Sequence, residues 1–156
     1  MSTPISRTTS PAAHFDVGRV LRAGLLVAIS AALANVVVFA LERDLLGVSF
    51  VFPYQGAGSP ALPLPVSFVI LASAIPAMAA ALLLAILGKL TRRPLRIFTI
   101  VGVIFLIVSF GGPLSVPAGP STKLALSVMH VVAAAIIIGG LALLTQAWPP
   151  RKAQLS

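Results

Sequence analysis

Cysteine is absent from the 156-residue chain, which removes disulfides, thiolate metal sites and thiol redox centres together. Acids are nearly as scarce, since Asp16, Glu42 and Asp44 are the three carboxylates. All three stand at the edges of long apolar runs, so a paired-carboxylate acid–base centre and a complete Ser-His-Asp relay both lack members. Charged residues of either sign amount to 9%, against about 25% in a soluble domain. Phosphate-cradling loops are missing too, because Gly111-Gly112 and Gly139-Gly140 have neither the required spacing nor a following lysine. These gaps argue against an enzyme and against a bound cofactor.

Apolar side chains fill the space that charge leaves, at 58% of residues. A water-soluble fold cannot hide that much apolar surface, and the pattern predicts a membrane protein surrounded by lipid. The net charge of +8 would suit a nucleic-acid partner. The basic residues fall in short polar connections between apolar runs, however, which is how membrane loops acquire Lys and Arg, so no nucleic acid is expected.

The chain reads as an all-α membrane protein, a four-transmembrane-helix bundle with Pro/Gly-rich extracytoplasmic loops. Residues 1–16 read as a polar, disordered cytoplasmic tail that includes a solvated His14, and Asp16 suits the cap of a first helix. The transmembrane domain covers 17–148, with spans at about 20–41, 65–88, 95–110 and 123–147, and 149–156 form a second tail. Ala32-Leu33-Ala34 has the small-x-small form of a signal-peptidase site, but the apolar run continues through Val36-Val37-Val38-Phe39, which predicts an uncleaved anchor. Glu42, Arg43 and Asp44 mark a solvated exit from the first span. The following loop carries Pro53, Pro60, Pro63 and Pro65, and cannot cross lipid as a helix. Alternation of Val48, Phe50 and Phe52 predicts one short strand in it, with Tyr54 at the interface. Pro65 suits the first turn of the second span, Pro76 should kink it, and Thr91 with Pro94 suits the start of the third. Gly111-Gly112-Pro113 predicts the end of the third helix, Ser121 or Thr122 the cap of the fourth, and Trp148 its far interface.

Orientation follows from Lys and Arg. With both termini cytoplasmic, nine basic residues lie inside and two, Arg43 and Lys123, outside. That bias predicts a multi-pass protein of a bacterial inner membrane with both ends in the cytoplasm.

Small residues that allow close backbone approach predict helix contacts: Ala28 and Ala32 on the first span, Ala77, Ala81 and Ala85 on the second, Ala135 and Gly139 on the fourth. The third span is bulkier and should show more surface to lipid or to a partner. Asn35 lies seven residues before Glu42, His130 seven after Lys123 on an oppositely directed helix, and Ser73 eight after Pro65. At 1.5 Å per residue all three reach a depth of about 10 Å, which predicts a polar layer within the bundle. An Asn35–His130 hydrogen bond fixing helix register is one expectation, and a lining for a small-solute or proton pathway is another. No metal is expected, since one histidine without a companion His, Cys or buried acid falls short of a ligand set.

RAGLLVAISAALANVVVF in the first span, PLRIF opening the third, GGPLS after it and SVMHVVAAAIIIGGL in the fourth resemble an uncharacterised family of small bacterial four-helix membrane proteins, a domain of unknown function. The resemblance covers Arg19 to about Leu144 and implies that Asn35 and His130 occupy polar positions of the family's pattern; it implies no activity. The layout also resembles tetraspan junction proteins in topology alone, their loop tryptophans and paired cysteines being absent. The resulting expectation is a non-enzymatic protein acting by helix–helix association, with itself or within a larger membrane complex. The alternative is a transporter or channel for a small solute or protons, using Asn35, Ser73 and His130.

Overall fold

The structure is a computed structural model that describes residues 17–53 and 58–146. The two predicted tails, the Asp16 cap, Tyr54 and Trp148 lie outside the described residues. Its elements are α1 (Val17–Asp44), β1 (Val51–Phe52), β2 (Leu62–Pro63), α2 (Val66–Leu90), α3 (Pro94–Ser109), α4 (Gly111–Ser115) and α5 (Pro120–Gln146). Four helices among the described residues are long and apolar enough to cross a membrane: α1, α2, α3 with its extension α4, and α5. They pack together as a bundle in which α1 touches α2 and α5, while α3 stands at the opposite corner against the same two helices.

Small residues decide the tightest seam. Ala23, Ala31, Ala77 and Ala81 are completely shielded from solvent, and a Cβ added at Gly24 would collide with that of Ala81. Without a hydrophobic drive between helices in lipid, such close approach is what makes dispersion contacts numerous enough to hold two helices together. Leu84, Phe98 and Leu141 extend this core toward the short turn between α2 and α3.

At the other end the loop folds over the bundle as a small cap. Gly47, at a φ of 64° that only glycine adopts without strain, turns the chain out of α1 and lets the Val48 N–H reach the Glu42 carbonyl at 3.0 Å. The predicted strand is present as β1, and it pairs antiparallel with β2 through Val51–Pro63 and Phe52–Leu62. Phe50 and Phe52 point inward to Phe39, Val69, Ala125 and Met129, and the Phe39 and Phe50 rings lie 4.6 Å apart between centroids.

Several helix ends differ from the sequence reading. The third helix ends at Ser109, next to the glycines that predicted its end, but the chain does not pass directly into a loop there. Phe110 keeps right-handed helical angles and accepts a bond from Leu114 N, so a short helix, α4, follows at once and reaches Ser115. Proline is harmless there, because it falls in the first turn of α4, where N–H groups have no helical partner. α5 starts at Pro120, earlier than expected, and Thr122 does not cap it; its hydroxyl donates to the Ser49 carbonyl at 2.7 Å and ties α5 to the cap. Pro65 precedes α2 as an extended residue, and Thr91 ends α2 while Arg93 precedes α3. In each case proline's fixed φ and missing N–H allow both readings from sequence alone.

Candidate functional site

The three residues of the expected polar layer meet at one cavity. It has a volume of about 430 Å³ and lies between α2, α3 and α5, with Asn35 of α1 reaching its wall. Along α3 the lining extends from Phe98 to Ser109, about 16 Å at the helical rise. Its rim carries the exposed residues Phe68, Ala72 and Ala79 of α2 and Val101 and Phe105 of α3, so the opening is lateral, between α2 and α3. The space exists because α2 presents Ala72, Ala79 and Ala80 where larger side chains would fill it.

Four polar side chains stand on this otherwise apolar wall: Asn35, Ser73, Ser109 and His130. Asn35 and Ser73 are 4% and 1% exposed. Asn35 Nδ2 donates to Ser73 Oγ at 2.9 Å, and Ser73 Oγ donates in turn to the Val69 carbonyl, also at 2.9 Å. This bond joins α1 to α2 and leaves Asn35 Oδ1 buried without a hydrogen-bond partner among the described residues. The expected Asn35–His130 bond is replaced by these partners: His130, half-buried, turns its Nδ1 to the carbonyl of Leu126 on its own helix at 2.8 Å. A histidine four residues beyond a helical carbonyl meets it within one turn, an intrahelical choice that a depth argument does not detect.

Of the predicted contact residues, Ala28, Ala32, Ala77, Ala81 and Ala85 are buried. Ala135 is exposed, and nothing lies within 4 Å of a Cβ added at Gly139. The close approach on α5 runs instead through Gly140, where an added Cβ would sit 2.8 Å from Val27. One residue is a rotation of about 100° on a helix, so a neighbouring glycine takes the contact and the Ala135–Gly139 stripe faces outward. Gly102, on α3, likewise packs on Ile138 of α5.

Glu42 is a residue whose place the sequence reading missed. It is 6% exposed, not solvated, and its Oε2 has no hydrogen-bond partner among the described residues. Arg43 is committed elsewhere: its Nε and Nη2 meet the Asp44 carboxylate at 2.7 and 3.1 Å, and its guanidinium lies 5.5 Å from the Phe39 ring centre. The signal was available, since Glu42 follows Asn35 by seven residues, two helical turns on the same face.

Against known proteins, the sequence model of a family of unknown function, DUF6069, matches residues 15–146. No curated protein and no solved structure matches the chain.

Proposed function

The chain belongs to DUF6069, a family of unknown function, and from that premise we propose that it is a non-enzymatic integral membrane protein that holds a small, mainly apolar molecule between α2, α3 and α5. The observation that carries this reading is the cavity of about 430 Å³ with Asn35, Ser73 and His130 on its wall. Its size falls within the range of about 300–1,000 Å³ usual for small-molecule sites, which are likewise mostly apolar with a few placed polar groups. An ion or a strongly hydrated solute suits it poorly, because so apolar a wall returns few of the hydrogen bonds that water supplied. A lateral mouth suits a molecule that arrives through the bilayer. The basic residues gathered in the α2–α3 turn, Lys89, Arg92, Arg93 and Arg96, support placing that turn and both termini on the cytoplasmic side of a bacterial inner membrane.

The test is to extract the full chain in mild detergent, identify by mass spectrometry what stays bound, and repeat with Ala134→Phe, which puts a ring into the cavity. Retention is expected to fall about tenfold or more with stability little changed, since the ring occupies ligand volume without breaking a seam. Equal retention by both proteins would end the reading.

A second reading, association with another copy or another membrane protein, has its own support. Phe98 is the one fully buried residue of α3, and Ile100, Val103, Ile104, Ile107 and Val108 are exposed along it. Ile104→Trp is then expected to reduce the particle mass measured by light scattering in detergent, and an unchanged mass counts against association. Gly102→Leu does not test this, because Gly102 faces Ile138 inside the bundle.

A further inference from the structure

The polar atoms of the cavity wall are not chemically neutral toward a ligand. Ser73 spends its single hydroxyl proton on the Val69 carbonyl, and Ser109 spends its own on the Leu106 carbonyl at 2.7 Å. Asn35 uses one of its two amide protons on Ser73 Oγ. His130 faces a carbonyl, which accepts only, so its Nδ1 carries the proton of that bond. In the neutral ring Nε2 is then a bare lone pair. What is left over is two acceptors, Asn35 Oδ1 and His130 Nε2, against one donor, the second amide proton of Asn35.

A buried acceptor without a donor is costly, and Asn35 Oδ1 is such an atom, unpartnered on a side chain that is 96% shielded and lines the cavity. We infer that the cavity selects an amphiphile whose polar end is a hydrogen-bond donor, a long-chain alcohol being the simplest case. The hydroxyl sits at Asn35 and His130, and the alkyl chain runs along α3 toward Phe98. Amphiphiles whose polar end only accepts, such as ethers, esters and ketones, leave Asn35 Oδ1 unpaired and are discriminated against. The assignment rests on the reading of the cavity as a ligand site, and adds the chemistry of the ligand's head to it.

The experiment is a competition between 1-dodecanol and dodecyl methyl ether, which share a chain and an oxygen and differ in the donor. The full chain in detergent is given both in equal amounts, separated from free micelles, and the two compounds still bound are measured by mass spectrometry relative to their ratio in the micelle. The alcohol is expected to be enriched about tenfold, the size of effect that pairing one buried acceptor supplies. In Asn35→Leu the enrichment is expected to fall to near one while the ether is still held. Equal retention of alcohol and ether by the unaltered protein, or an excess of ether, overturns the donor requirement and leaves the cavity reading standing. Retention of neither compound overturns both. Should Asn35→Leu fail to fold, His130→Phe serves in its place, and an alcohol preference undiminished in the variant removes the assignment to these side chains.

Discussion

Gly24→Leu is expected to prevent assembly of the bundle or to lower its stability by about 3 kcal/mol or more, measured by unfolding in mixed detergent. The first added atom already collides with the Cβ of Ala81, and Ala81 stands on backbone that α2 cannot move without parting Ala77 and Ala85 from α1. Overpacking in a yielding core costs about 1–3 kcal/mol; here neither side of the contact has a flexible end to give way. Gly139→Leu is the matched control, because its added Cβ meets nothing within 4 Å, and a change within about 0.5 kcal/mol is expected. Similar losses at the two sites would mean that the seam between α1 and α2 is not where the bundle is held.

That contrast also marks how far the sequence can be read. Four long apolar runs separated by polar connections are visible at once, because lipid requires length and the absence of charge, and both are properties of composition. The stripe of Ala77, Ala81 and Ala85 was legible for a related reason: three small residues at a spacing of four can face only one way. Which glycine makes a contact was not legible. Gly139 and Gly140 are adjacent, and the difference between them is a rotation of α5 fixed by Val27 and Leu141 on the assembled bundle. Gly24, by contrast, was within reach of the sequence, since it stands four residues before Ala28 and eight before Ala32 and so shares their stripe.

The polar layer was legible in depth but not in bonding. Rise per residue brings Asn35, Ser73 and His130 to one level, whereas the choice of partner depends on distances of an ångström. Ser73 lies close enough to take the Asn35 amide, and the Leu126 carbonyl is always within reach of His130 because it belongs to the same helix. The cap was half visible: alternation shows Phe50 and Phe52, but a strand of two residues containing Pro63 has no pattern of its own.

In alkaline solution, where the carboxyl is ionised, Glu42→Gln is expected to stabilise the protein by about 1–3 kcal/mol in the same unfolding measurement, the scale on which burying an unpaired charged oxygen is costly. The carboxylate ends α1, where the carbonyl end of the helix dipole already repels negative charge. It is 6% exposed, and the adjacent cation is held by Asp44. The amide keeps the shape, removes the charge and brings two protons to a place rich in carbonyls. Arg43→Ala is the comparison: its pair with Asp44 is half-exposed, so a change of about 1 kcal/mol or less is expected. A loss of stability in Glu42→Gln would mean that a cation holds the carboxylate in the folded protein. A gain would mean that the fold keeps this acid against its own stability, under the cap and two turns above Asn35. Two acceptor oxygens without partners, Oε2 of Glu42 and Oδ1 of Asn35, would then share one face of α1. In a bundle held together by alanine and glycine, that face is where polarity is concentrated, so changes at Glu42 should be read for ligand retention as well as for stability.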